Sequence, residues 1–432
     1  MFIQFVREGR WSTIFGYLLF IGMMATGYFY NVTFIQLGLT DLCRRTLGMS
    51  EERTALSMAL LALLSLVVAL AFGYWMMKSG RSTNFRLKLR VTFVVVVGQT
   101  LLTLLATEIT SQPALITWII FASLALGVGM PATFSLTVDL IPRPDRGMVA
   151  GLITAGAYFA SNAFSSATWH MEHFRYLSLL VMVPGVLGMA ILVLAPRTFP
   201  TARLLDTLAG QHQQPVFGIG RLLVEGSRGN YHLRRSLVGL LAMMFGVYFI
   251  DSLGFLRLLE TPLYMRFAWQ SVELDIHLFI AITHVVAALA GGILYASLTE
   301  RQLLLWVFGF FALAQLMYSF HLRYGPVDYA PLAMPMLYAI AVSLYTVVNF
   351  AIWADVATPQ TISFYAALGV AFSGWAATFL STALAIYLHM AGVSLSRHLE
   401  VVNAISCCFF LVLLLLPILK GLIPARSTPE VY

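Results

Sequence analysis

The sequence predicts an all-α integral membrane protein of twelve transmembrane helices in two pseudo-symmetric six-helix bundles, and three observations carry that prediction. The first is composition: of 432 residues, 59% are hydrophobic and only 10% charged, with a mean hydropathy of +0.84, where soluble domains carry about 25% charged residues. The second is the recurrence, twelve times, of apolar runs long enough to cross a bilayer, which takes about 20 residues for roughly 30 Å of hydrocarbon. The third is an internal duplication. Val138 to Ala167 recurs in degenerate form from Ala354 to Ala383, so that at an offset of 216 Asp139 falls on Asp355, Leu152 on Leu368, Ala155 on Ala371 and Ser165 on Ser381. A second echo at offset 219 sets Ala69-Leu-Ala-Phe-Gly73 on Ala288-Leu-Ala-Gly-Gly292. Two equivalent halves in an apolar chain imply two packed bundles with a site at their seam.

Taken in order, the runs centre on 12 to 36, 54 to 77, 90 to 109, 114 to 138, 147 to 168 and 176 to 196 in the first half. In the second they centre on 236 to 258, 272 to 297, 303 to 320, 329 to 355, 360 to 389 and 399 to 419. The longest polar interruption separates them, giving a bundle over 1–196, a linker over 197–235 and a second bundle over 236–432. The linker holds Pro200, Gln211 to Gln214, Pro215 and scattered glycines without phosphate-loop spacing, and is expected to be a tether with a short amphipathic helix on the membrane surface.

With both termini cytoplasmic, 18 of the 26 Lys and Arg fall in the inside segments, which is the asymmetry that retains loops in the cytoplasm. The formal net charge of +7 is therefore a topology signal with no nucleic-acid partner behind it. The first run lacks a cleavage pattern and is expected to be retained as a helix of a multi-pass protein of a bacterial inner membrane. Cys43, Cys407 and Cys408 give no disulfide framework, His170 and His173 make a weak metal pair, and no nucleophile, paired-carboxylate or zincin motif occurs. The expectation is a non-enzyme with no metal and no cofactor. Its partners would be a small-molecule substrate and membrane lipids, and it would act as a monomer.

The loop between the second and third runs, Gly73-Tyr-Trp-Met-Met-Lys78-Ser-Gly80-Arg81, resembles the G-x-x-x-D-(R/K)-x-G-(R/K) signature of the major facilitator superfamily, with Met77 in place of its acid. Asp139-Leu-Ile-Pro-Arg-Pro-Asp-Arg146-Gly147 is similar to that family's junction between helices four and five. The resemblance implies a cytoplasmic latch built from Gly73, Lys78, Gly80, Arg81, Asp139 and Arg146. It would be centred on an Arg81 to Asp139 pair, while Asp355 in the second half lacks an equivalent arginine-glycine partner. It also implies that helices 1, 4, 7 and 10 line a central cavity.

Charge inside a bilayer is costly unless it faces water or a partner. Asp251, in the middle of the seventh run, is the first candidate for receiving a proton or a cation, and His284 in the eighth is the second. Arg257 is expected to snorkel to the outer surface. The remaining expected ligand contacts are Tyr28, Asn31 and Gln36 in the first run, Tyr158 and Asn162 in the fifth, Tyr345, Asn349 and Trp353 in the tenth and Trp375 in the eleventh. Amides and aromatic rims suit a weakly polar organic ligand. No Lys or Arg lies deep in a first-half run to grip a strong anion. The sequence thus points to a proton-coupled, alternating-access permease or exporter of a small neutral or cationic organic solute. The competing class is a non-transporting member of the same fold, an assembly or lipid-handling factor.

Overall fold

A computed structural model describes residues 11–163, 169–194, 200–226, 231–233, 236–259, 261–326 and 328–422. Among the described residues, eleven helices are long and apolar enough to span a membrane: Thr13–Thr46, Glu51–Lys78, Phe85–Glu108, Gln112–Leu140, Met171–Leu194, Leu237–Leu259, Leu274–Ser297, Glu300–Tyr324, Ala333–Asp355, Ile362–Met390 and Leu395–Leu415. The twelfth, Arg146–Ala163, is short within the described residues and rich in Gly, Ala, Ser and Thr. In chain order these are spans 1 to 12, with Arg146–Ala163 as span 5. Their outer faces carry exposed Leu101, Leu180, Val286 and Phe320, the side chains a lipid contact requires.

Local chemistry sets the ends. Ser50, Asn84 and Ser111 each accept a hydrogen bond from the backbone N–H three residues on, and Thr299 with Gln302 closes a reciprocal capping box at the start of span 9. Gly80, at φ 69°, turns the chain between spans 2 and 3 in a backbone conformation that costs other residues strain. Spans 1 and 11 are π-helical over Asn31–Gly38 and Ala367–Ala376, a winding that often accompanies functional sites. Span 10 has 83% of its apolar window buried against 22% for span 6, so it forms the centre of the molecule.

The two sequence echoes meet each other in two close backbone approaches between the halves. A Cβ on Gly73 of span 2 would stand 2.7 Å from the Ser363 carbonyl and 2.8 Å from the Ala367 Cβ of span 11. On the other side of the seam, a Cβ on Gly292 of span 8 would stand 2.8 Å from the Gly147 carbonyl of span 5, and one on Gly151 would stand 2.8 Å from the Ala288 carbonyl. The duplication maps Gly73 on Gly292, Gly147 on Ser363 and Gly151 on Ala367, so each contact is the pseudo-two-fold image of the other. Small residues persist there because backbones can approach no other way. Gly151→Val is therefore expected to part spans 5 and 8 and lower thermal stability by roughly 1–3 kcal/mol, the usual range for overpacking; an unchanged melting curve would contradict that packing.

The linker is not a loose tether. Its helix Pro200–His212 buries Ala202, Leu205, Leu208 and Ala209 and packs on spans 1 and 4. A two-stranded hairpin, Leu223–Glu225 with Tyr231–Leu233, follows. Gly220 N–H donates to the Ala357 carbonyl and Leu222 N–H to the Asp355 carbonyl, each at 3.0 Å, so the linker joins the second half as well as the first. The side carrying it is called here the linker face, and the opposite side the far face.

Candidate functional site

A cavity of about 940 Å³ lies between the halves. Its wall includes Arg44, Glu51, Gln270 and His389 from far-face ends and loops, so it opens on that side. Of the ligand contacts expected from sequence, Tyr28, Asn31, Gln36, Tyr158, Asn162, Asp251, Tyr345, Asn349 and Trp375 all line it, as does His284. Trp353 does not. Its ring is buried against Gly369 and its Nε1–H donates to Asn349 Oδ1 at 2.8 Å, so it orients a wall residue from behind.

Asp251 sits at the centre of the second-half wall. Tyr338 donates to its Oδ1 and Tyr345 to its Oδ2, both at 2.5 Å, and Tyr338 also reaches the Asp251 carbonyl at 2.9 Å. These tyrosines are seven residues apart, two turns of span 10, and so share a face. Tyr248, one turn before Asp251, packs edge-on against Tyr345 at 4.9 Å. Tyr28 and Tyr158 from the first half stand within electrostatic reach of the same carboxylate.

Those first-half tyrosines cross the seam. Their hydroxyls lie 2.7 Å apart, and Thr346 on span 10 is 3.3 Å from Tyr158 Oη and 3.5 Å from Tyr28 Oη. His284 stacks on the Tyr158 ring at 4.5 Å and shares a hydrogen bond of 2.8 Å with Ser343. Spans 1, 5, 8 and 10 are thus joined at one level, deeper than the far-face mouth. Removing a single hydroxyl here is informative: Tyr158→Phe breaks the shorter hydroxyl relay between spans 1 and 10, leaving the 3.5 Å contact of Tyr28 with Thr346, while keeping the His284 stack. It should loosen the seam by about 1 kcal/mol, the usual net worth of one hydrogen bond, seen as faster far-face labelling kinetics.

On the linker face the halves are shut by Asp355, the buried end of span 10. Arg146, which opens span 5, pairs with its Oδ1 at 3.0 Å and donates to the Ala354 carbonyl at 2.9 Å and to the linker carbonyls of Phe217 and Gly218 at 3.3 Å. Arg221 of the linker pairs with Asp355 Oδ2 at 2.6 Å and lies over the Tyr295 ring at 3.9 Å, while Tyr295 Oη donates to Asp355 Oδ2 at 2.9 Å. Ser82 and Ser363 hydrogen-bond across the seam at 2.6 Å.

The structure corrects three expectations. The Arg81 to Asp139 pair does not form: the left-handed turn at Gly80 sends Arg81 over the Trp75 ring at 4.5 Å. Asp139 is instead taken by Lys88, buried beside it at the start of span 3, and by Gln213 Nε2–H at 2.6 Å. Asp355 does have an arginine-glycine partner, Arg146-Gly147, supplied by the other half. Lys78 is exposed. Arg257 is buried, not snorkelling, with Nη1 2.7 Å from His389 Nδ1. His170 stands 3.4 Å from Asp41, and no metal-binding group of three side chains occurs among the described residues.

The linker carries one titratable reporter outside the membrane. Burial pushes the His212 imidazole below its ordinary value, against hydrogen bonding to the Asp139 carbonyl and with a further lowering from Arg146. A folded pKa below the ordinary ~6.5 means docking is fully stable above that pH and weakens as pH falls below it, because the undocked histidine takes up the proton more readily. Amide exchange of helix Pro200–His212, corrected for intrinsic rates, should therefore speed up between pH 7.5 and pH 5.5 in the native chain. In His212→Gln that change should be largely absent. Asp145, whose carboxyl burial pushes up, acts in the opposite direction at lower pH, and the comparison with the variant isolates His212.

No protein-family model and no curated protein matches the chain. Solved structures do match its fold. A proton:xylose symporter, XylE, bound to 6-bromo-6-deoxy-D-glucose superposes with a TM-score of 0.61 at 14% identity, covering 93% of this chain and 95% of that one. A bacterial homologue of the iron transporter ferroportin, in an outward-facing state, gives 0.57 at 12% identity over 93% and 98% of the two chains. The human organic anion transporter MFSD10 gives 0.56 at 14% identity over 94% and 99%. Matched over more than nine-tenths of each chain, this chain shares the twelve-helix fold of major facilitator superfamily transporters.

Proposed function

We propose that the chain is a secondary transporter of a small organic solute, working by alternating access and coupled to protons through Asp251. One observation carries the reading: a cavity open on one face, closed on the other by contacts between equivalent halves, with a carboxyl on its wall. A fold whose halves repeat and whose seam holds a site can rock about that site. The linker face is the cytoplasmic one, from the Lys and Arg asymmetry, and the membrane a bacterial inner membrane. Arg146 to Asp355 serves as the latch of the outward-open state, with Arg221 and the docked linker reinforcing it. Asp251, held by Tyr338 and Tyr345, takes up or releases its proton as the cavity exchanges one face for the other.

Purified protein in liposomes should accumulate at least one member of a panel of sugars, polyamines and quaternary ammonium compounds when a pH difference is imposed, and not when it is collapsed. Retention of every compound at the level of empty liposomes, with folded protein present, would favour the non-transporting class.

A further inference from the structure

The reading above leaves the solute's charge open, and the cavity wall addresses it. Among the described residues that line the cavity, four carboxylates, Asp41, Glu51, Glu52 and Asp251, stand against one arginine, Arg44, a formal balance of −3. Their positions differ in kind. Asp41 and Glu51 are partly neutralised at the mouth, by Arg45 at 3.2 Å and by Arg44 at 3.6 Å. Asp251 has no cationic partner among the described residues; its side-chain hydrogen bonds come from tyrosine hydroxyls, which orient the carboxylate without supplying a counter-charge. A lone carboxylate at this depth requires a counter-ion or a proton.

The surfaces around it are aromatic. Tyr28 packs edge-on against Phe350 at 5.1 Å and against Tyr158 at 5.6 Å, and all three rings line the cavity. Tyr248 and Tyr345 make the corresponding edge-on pair beside Asp251. Ring faces attract cations, most strongly where water is excluded, and a carboxylate among several rings is the arrangement that recognises alkylammonium and arylphosphonium groups. Neutral sugars instead need dense hydrogen bonding, and here the Asn162 Nδ2–H is turned to the Tyr158 carbonyl and the Asn349 Oδ1 accepts from Trp353, which leaves each amide only its other end for a ligand. Asn31, Gln36 and Gln99 remain on the first-half wall for a weakly polar flank.

We infer that the solute is an organic cation whose charged head sits on Asp251 within the Tyr28, Tyr248, Tyr345 and Phe350 rings, drawn in by the acidic far-face mouth. This rests on the transporter reading for its physiological meaning, though the binding claim can be tested without transport. The probes are tetraphenylphosphonium and its uncharged analogue triphenylphosphine oxide, titrated by calorimetry into the full chain in nanodiscs, with empty nanodiscs subtracted.

The native chain should bind the phosphonium at least tenfold more tightly than the oxide. Asp251→Asn should erase that preference by weakening the phosphonium alone, with the melting temperature of the variant confirming its fold. Glu51→Gln combined with Glu52→Gln, both exposed at the mouth and remote from the bundle cores, should slow phosphonium association severalfold and flatten its dependence on ionic strength. Equal affinity for the two probes, or an undiminished preference in Asp251→Asn, would overturn the inference. Should Asp251→Asn fail to fold, an association rate in the mouth variant that matches the native chain at low salt would overturn it independently. Uptake of an uncharged solute under a pH gradient, with no charge preference in binding, would leave the transporter reading standing and remove only this one. Neither uptake nor charge-selective binding would remove both.

Discussion

Asp355→Ala should turn a protein open on its far face into one that rests with its linker face open. In the closed arrangement Arg146 is buried with Asp355 as its anionic partner, and Arg221 with Tyr295 completes the cluster. Removing the carboxylate leaves Arg146 buried against carbonyls alone. Losing one member of a buried ion pair typically costs about 3–5 kcal/mol, and each ~1.4 kcal/mol is tenfold in a population. The closed linker face should thus lose two to three and a half orders of magnitude in relative population. Because open halves let water reach Arg146, the penalty falls on one conformation and not on the fold. A maleimide reaction at a single cysteine replacing Ser82, which is buried at the seam, should accelerate accordingly. Unchanged labelling would mean that the small-residue contacts alone hold the face shut.

Asp251→Asn should abolish pH-driven accumulation. For a one-for-one exchange of charge with a proton, one pH unit is worth about 1.4 kcal/mol, a tenfold concentration ratio. The native protein should approach that ratio, and the variant should give a ratio near one. Asparagine keeps the shape and the hydrogen-bonding capacity toward Tyr338 and Tyr345, so at saturating ligand the variant should still exchange solute between equal compartments. Accumulation undiminished in the variant would make Asp251 structural and leave His284, stacked on Tyr158, as the next group to replace.

The helix count, the duplication and several polar residues of the cavity wall were legible because each leaves a local or periodic mark. Asp251 declares itself by being charged in an apolar run, and Tyr28, Asn31 and Gln36 by being polar in one. Tyr338 was missed although its spacing from Tyr345 places both on one face of span 10; tyrosine is common enough in membrane helices that one more attracts no notice. Tyr248 was missed for the same reason, and its position one turn from Asp251 was the available signal. Trp353 misled in the opposite sense, since an indole beside a cavity helix reads as a rim while its actual place is behind Asn349.

The linker-face closure was harder to read. Signature residues Lys78 and Arg81 suggested a pair with Asp139, but partner choice depends on which charge is buried next to which, and Lys88 lies nearer. Asp355 found its arginine in the other half and in the linker, a relation between segments far apart in sequence. The small-residue echoes held the missing information: Ala69 to Gly73 and Ala288 to Gly292 mark where the halves touch. From sequence they gave the symmetry, while the contact they make across the seam needed the fold.

Rocking of the two halves is most directly tested by pulsed electron spin distances in a background free of Cys43, Cys407 and Cys408, with one spin pair at Arg53 and Met390 on the far face and another at Ser79 and Gln302 on the linker face, all four exposed. Native protein in nanodiscs should show a long far-face and a short linker-face distance, and Asp355→Ala should reverse both together. Distances that fail to move, or that move on one face alone, would contradict alternating access and leave a static two-bundle scaffold.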